Sequence, residues 1–211
     1  MSYLQAIILG IVQGVAEFLP ISSSGHLVLF QTFFQMENYE ETQMLFSVLL
    51  HFGTLVAVCV YYWRDVWEMI REFFLGIRDL ARPDRRGKTP PPLARRMVML
   101  IIVATLPLFL VLPIKNWMET VFYNNMAVSI ALLVTGFLLF FSDRLARGHK
   151  GAKNATVVDA LVVGVAQAIG TIPGISRSGI TISAGMMRGL DRKFAVRFSF
   201  LMSLPAVLGA N

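Results

Sequence analysis

Residues 156–190, TVVDALVVGVAQAIGTIPGISRSGITISAGMMRGL, hold two apolar stretches parted by a polar centre, Pro173-Gly174-Ile175-Ser176-Arg177-Ser178-Gly179. Each half runs to about 15 residues or fewer, too short to cross bilayer hydrocarbon at roughly 1.5 Å per residue. The segment reads as a re-entrant hairpin: a half-helix in, a polar tip, a half-helix back. Such a tip survives at membrane depth only where protein buries it or a wet cavity receives it.

The stretch Leu4–Phe34 has the same form and breaks at Pro20-Ile21-Ser22-Ser23-Ser24-Gly25-His26. Gly10, Gln13, Ile21, Ser22, Ser24 and Gly25 recur as Gly164, Gln167, Ile175, Ser176, Ser178 and Gly179, each 154 positions later. Downstream, Phe46-Ser47-Val48-Leu49 returns as Phe198-Ser199-Phe200-Leu201 at an offset of 152. Aligned polar tips mark an internal repeat.

Around these hairpins the composition fits hydrocarbon as solvent. Of 211 residues, 55% are hydrophobic and 15% charged, and the mean hydropathy is +0.63. Full spans are expected near Met44–Trp63, Met97–Ile114 and Met126–Ser142, with a fourth near Phe194–Gly209. Val66–Leu80 mixes Trp67, Phe73 and Phe74 with charges and reads as an interfacial or protruding helix. Arg82–Leu93, with Pro83 and Pro90-Pro91-Pro92, reads as an exposed loop. The lone cysteine, Cys59, lies in an apolar run, which excludes a disulfide framework or a cysteine metal site.

The net charge of +6 does not point to nucleic acid, because its basic residues abut apolar segments. Arg71–Arg96 and Arg144–Lys153 mark cytoplasmic loops by the positive-inside rule. Lys115–Asn125 and Met36–Gln43 then face the other side. On that topology the first hairpin starts and ends outside and the second inside, so the repeats are inverted and their tips meet near the midplane. The expected fold is an all-α integral membrane protein with inverted-topology repeats, each a re-entrant helical hairpin followed by transmembrane helices. Residues 1–211 form a single membrane domain, with repeat 1 at approximately 4–142 and repeat 2 at approximately 156–211. Repeat 2 is incomplete on this reading: two more spans, roughly 50–60 residues, are expected after Asn211.

The tips bring together Gln13, Glu17, Ser22, Ser23, Ser24 and His26 with Ser176, Arg177, Ser178 and Thr181. Gln13 and Glu17 are four apart and share a helix face. An ionisable side chain at membrane depth is a functional candidate, whereas serine and glycine there also serve plain helix packing. Phosphoryl transfer accounts for the set. Arg177 forks onto phosphate oxygens, and serine hydroxyls and freed helix N–H groups add anion donors. Glu17 or His26 supplies acid–base chemistry, and a serine or His26 the nucleophile. His51 fits better as a packed helix histidine.

Gln13-Gly14-Val15-Ala16-Glu17, continuing to Ser22-Ser23-Ser24-Gly25-His26, and Pro173-Gly174-Ile175-Ser176-Arg177-Ser178-Gly179-Ile180-Thr181 resemble the two motifs of the undecaprenyl-pyrophosphate phosphatase, or bacitracin-resistance, family. The resemblance covers essentially the whole chain. It implies a multi-pass bacterial inner-membrane enzyme, open to the periplasm, that removes one phosphate from undecaprenyl diphosphate and recycles the carrier for cell-wall synthesis. It implies a divalent cation, Mg²⁺ or Ca²⁺. By resemblance Glu17, Ser23, His26, Ser176 and Arg177 are catalytic, and Gln13, Ser22, Ser178 and Thr181 bind the polyisoprenyl diphosphate. The attacking group stays open among Ser23, His26 and Ser176. With Gln13 in the first motif position, Glu17 is the only carboxylate at either tip, so at most one metal is expected, held by Glu17 and substrate phosphates. The rival reading is a secondary transporter or lipid flippase on the same inverted repeat. Oligomeric state is not legible in the sequence.

Overall fold

A computed structural model of the chain describes residues 3–33, 40–80, 91–114, 124–145 and 148–210. Residues 36–39 and 115–123 of the expected outer loops, together with Arg82, Arg85, Arg86, Lys88, Arg147 and Asn211, lie outside the described residues. The described residues form nine α-helices and no strand: α1 Tyr3–Phe18, α2 Ser23–Phe33, α3 Glu40–Tyr61, α4 Trp63–Leu80, α5 Leu93–Thr105, α6 Asn125–Leu145, α7 Val157–Ile169, α8 Arg177–Met187 and α9 Arg192–Ala210. The two broken stretches are both helical hairpins, α1 against α2 and α7 against α8.

Three of these helices expose large apolar side chains and bury polar ones. On α1, Leu4, Ile7, Ile11 and Val15 are exposed while Gln13 is fully buried. On α7, Val158, Leu161 and Val165 face outward, and Asp159 and Gln167 face in. On α6, Ile130, Leu133, Phe137 and Phe141 are exposed, with Thr135 and Ser142 buried. A helix in water turns its stripe the other way. This is the exterior of a membrane protein. Leu93–Leu110 and Asn125–Ser142 are long and apolar enough to cross a bilayer, and Val48–Tyr61 is a shorter apolar stretch of α3.

The apolar core joins α3, α5, α7, α8 and α9 around Leu201 and Met202, both at zero exposure. The segment expected to be helical over Met97–Ile114 leaves the α form at Thr105. From there it continues as 3₁₀ turns over Leu106–Leu110 and Leu112–Ile114. Pro107 is the reason: it has no N–H to donate and its ring crowds the preceding turn. The amphipathic stretch at Val66–Leu80 belongs to α4, whose Trp63, Trp67, Ile70 and Phe74 are exposed. Its polar side is tied to α5 through Arg95, which reaches Glu72 at 3.0 Å and Asp79 at 2.9 Å. It is tied to α9 through Asp65 and Arg197.

The base of the α7–α8 hairpin is clasped by a buried carboxylate. Asp159 closes a capping box with Thr156 and accepts from Arg188 at 2.9 Å and Lys150 at 3.4 Å. Lys150 also pairs its backbone with Gly189 and Asp191. Entry and exit of the hairpin are thereby held side by side, which fixes where its tip points.

The α7–α5 contact depends on Gly164. A Cβ there would lie 2.4 Å from the Ala104 carbonyl oxygen, whereas at Gly136 it would meet nothing within 4 Å. Gly164→Ala is expected to destabilise the fold by about 1–3 kcal/mol through forced separation of the two backbones. Gly136→Ala should leave stability equal or slightly higher. Thermal unfolding of the purified variants in detergent measures both.

Candidate active site

α1 ends at Phe18, and the chain turns through Pro20 and Ile21 to Ser22, which has φ +71°. This is the left-handed region that a serine seldom occupies, and local bonds hold it there. The Ser22 hydroxyl accepts from the Gly25 N–H at 3.3 Å, and its carbonyl accepts from the His26 N–H at 3.2 Å. The same carbonyl lies 2.8 Å from His26 Nδ1, which therefore carries a proton and leaves Nε2 as the ring's other working atom. Gly25 lets α2 close on α6, since a Cβ there would meet Leu132 at 2.8 Å.

The second tip is built with the same local bonds. Ser176 caps α8, accepting from the Gly179 N–H at 3.1 Å. The hydroxyl pairs Ser22–Ser24 and Ser176–Ser178 are both 3.4 Å apart. Gly174, at φ +88°, turns the chain against α6, where Thr135 donates to its carbonyl at 3.3 Å and accepts from the Ser176 N–H at 3.0 Å. The tips touch: a Cβ on Gly179 would lie 3.0 Å from the Pro20 carbonyl oxygen.

Glu17 is where they join. Its Oε1 accepts from Arg177 Nη2 at 2.7 Å. Its Oε2 accepts from Ser23 Oγ at 2.6 Å and from Gln13 Nε2 at 3.1 Å. The two charged side chains are only 15% and 25% exposed. A carboxylate and a guanidinium in so apolar a body are each tolerable because the other is there.

The structure thus brings Gln13, Glu17, Ser23 and Arg177 into one bonded cluster, with His26 at the start of the same helix as Ser23. Ser22 and Ser176 are almost wholly buried as helix caps. Thr181 is 1% exposed and sits beneath the tip, donating to the Arg177 carbonyl at 2.8 Å and meeting Ser199 Oγ at 2.6 Å. Ser178 lines a cavity of about 20 Å³ beside Glu17 and Arg177, together with Thr54, Ser199 and Ser203. Those last three were not singled out in the sequence. Only Ser199 carried a signal there, as part of the repeated Phe-Ser pair.

Among the described residues no three His, Cys, Asp or Glu side chains gather. Glu17 is the one carboxylate at the tips, and the buried Oε1 of Gln13 has no hydrogen-bond partner. With one carboxylate at the tips, a cation there would have Glu17 as its protein ligand and would take its other oxygens from phosphates and waters.

A guanidinium beside two helix starts is chemistry suited to a tetrahedral oxyanion, and a serine hydroxyl 2.6 Å from a carboxylate is chemistry suited to a nucleophile with its base. Glu17 competes with such an anion for Arg177. Glu17→Gln is therefore expected to bind inorganic phosphate at least about tenfold more tightly, the factor that ~1.4 kcal/mol of released pairing supplies. Titration calorimetry on the purified protein measures it; weaker binding would mean that Arg177 does not receive the anion.

The family described as bacitracin resistance protein BacA matches residues 6–211. A relative named undecaprenyl-diphosphatase from Methanosphaera stadtmanae is 44% identical over 213 residues, covering 99% of this chain and 75% of its own. Its namesake from Moorella thermoacetica is 41% identical over 212 residues, covering 100% and 75%. The one from Syntrophotalea carbinolica is 44% identical over 212 residues, covering 100% and 76%. The chain belongs to the bacitracin resistance protein BacA family.

Proposed function

We propose that the chain hydrolyses undecaprenyl diphosphate to undecaprenyl phosphate and inorganic phosphate, returning the lipid carrier to cell-wall synthesis. The observation that carries this reading is the Ser23–Glu17–Arg177 cluster inside an apolar body, in a chain whose relatives are named undecaprenyl-diphosphatase. A carrier or flippase reading is not favoured, because transport alone asks for no serine hydroxyl 2.6 Å from a carboxylate.

In the reaction Arg177 exchanges Glu17 for the terminal phosphate. Glu17, released, takes the proton of Ser23 as Oγ attacks the terminal phosphorus. The bond from that phosphorus to the bridging oxygen breaks, and undecaprenyl phosphate leaves with the electron pair. His26, its Nδ1–H held by the Ser22 carbonyl, enters this step as the imidazolium, gives its Nε2 proton to the departing oxygen and is left as the neutral Nδ1–H form. Arg177 and the opening N–H groups of α2 and α8 stabilise the charge that develops. Ser22, Ser176 and Thr181 act by holding these helix starts and the Arg177 turn. Of the three candidate nucleophiles Ser23 is favoured, because the Ser176 hydroxyl is buried as a cap and His26 is anchored to Ser22. A Mg²⁺ or Ca²⁺ ion bound with the diphosphate, held by Glu17 and the phosphates, would neutralise phosphate charge.

The setting follows from the helices. The two hairpins are read as re-entrant halves of an inverted repeat within a single membrane domain. Support lies in the matched bonds at Ser22 and Ser176 and in the matched buried Gln13 and Gln167. With the basic segments on the cytoplasmic side, the protein resides in the cytoplasmic membrane and its site opens to the outer, periplasmic face.

Purified protein supplied with undecaprenyl diphosphate is expected to release inorganic phosphate. Arg177→Ala and Glu17→Ala should each lower turnover at least about 100-fold, while Ser24→Ala changes it far less. Near-normal phosphate release by Arg177→Ala would remove the site assignment.

A further inference from the structure

The cavity beside the ion pair is the feature that the reaction above leaves unused. It lies where α3, α8 and α9 meet, and its polar lining is Glu17, Arg177, Ser178, Thr54, Ser199 and Ser203. At about 20 Å³ it has room for a single water. The charges on its wall select what enters. Glu17 repels an anion and Arg177 repels a cation, whereas a water molecule can donate to the first and accept from the second.

The hydroxyls also dictate how that water is turned. Thr54 donates its proton to the His51 carbonyl at 2.9 Å, and Ser203 donates to the Phe200 carbonyl at 2.8 Å. Thr181 faces the Arg177 carbonyl at 2.8 Å, and with its proton there Ser199 is the donor in their 2.6 Å contact. Thr54, Ser199 and Ser203 thus have their protons committed and present only lone pairs. A water among three hydroxyl acceptors and a carboxylate directs its two hydrogens at two of these four. Its own lone pairs are left towards Arg177, the side that receives phosphate. That is the orientation of a nucleophile.

We propose that this cavity seats the hydrolytic water, with Thr54, Ser199 and Ser203 as positioning residues that aim it at phosphorus. The inference rests on the phosphatase reading with Ser23 as nucleophile. In the second half-reaction the water oxygen bonds to the phosphorus carried on Ser23, and the phosphorus–Ser23 Oγ bond breaks. Glu17 returns to Ser23 Oγ the proton it took in the first step and receives one from the water; inorganic phosphate leaves with the other water proton, and exchange with solvent resets Glu17 and His26. Buried Val58 and Val207 line the apolar side of the cavity.

Thr54→Val keeps the side-chain shape and removes the acceptor; Ser203→Ala removes another; Thr54→Ser restores the hydroxyl. Turnover, KM and acid-stable phosphate on the protein are measured for each with substrate labelled in its terminal phosphate. For Thr54→Val and Ser203→Ala, kcat is expected to fall about 10- to 100-fold, as for a misplaced reactant. KM should not rise, and labelled phosphoserine should accumulate at Ser23. Thr54→Ser should keep most of the wild-type kcat and show no such accumulation. Unchanged kcat in both variants, a raised KM with unchanged kcat, or a fall in kcat without phosphoserine would each overturn the inference while leaving phosphate release by the wild type intact. A wild type that releases no phosphate would remove the proposed function, and this inference with it.

Discussion

A carboxylate and a guanidinium placed in an apolar body need each other, and the 2.7 Å bridge from Arg177 to Glu17 is the contact on which the rest of this structure turns. It joins side chains 160 positions apart, one from each hairpin. Everything that converges on it is arranged to hold a polar point inside a non-polar shell. Gln13 and Ser23 satisfy the far oxygen of Glu17, Thr181 fixes the backbone of Arg177, and Thr135 on α6 pins the turn that precedes it. Farther off, the Asp159 clasp fixes the base of the second hairpin and so the direction of its tip.

The same bridge explains why the site can be both stable and reactive. At rest each charge neutralises the other, which keeps a buried base and a buried cation compatible with the apolar surroundings. In the proposed reaction a substrate phosphate offers Arg177 two oxygens in place of one and frees Glu17 at the moment Ser23 must lose a proton. Binding and activation are then a single exchange of partners. The strained backbone at Ser22 belongs to this arrangement, since it sets the Ser23 hydroxyl, the Gly25 N–H and His26 at one end of α2.

Much of this was legible in the sequence, because the bilayer leaves few choices for polar groups. The broken apolar runs, the matched serines and the lone Glu17 and Arg177 pointed to two hairpins meeting at one site. The pairing of Gln13 with Glu17 followed from their spacing of four on one helix face. What sequence could not supply was depth. Thr181 looks like a ligand-binding hydroxyl in a motif, and only the fold shows it bonded to backbone beneath the tip. Thr54 and Ser203 look like ordinary helix residues, and only the packing of α3 and α9 sets them beside Glu17. The span near Met97–Ile114 is present, and α5 gives way to 3₁₀ turns where Pro107 interrupts the run.

The central claim, that Glu17 and Arg177 form one energetic unit joining the hairpins, is tested most directly by a double-mutant cycle. Thermal stability would be measured for Glu17→Gln, Arg177→Gln and the double variant in the same detergent. Each single change leaves a buried group without its partner, so each should destabilise the fold, and the double variant should be no worse than the weaker single. The predicted coupling is about 1–3 kcal/mol. Strictly additive losses would contradict the account, because they would mean that the two side chains act apart.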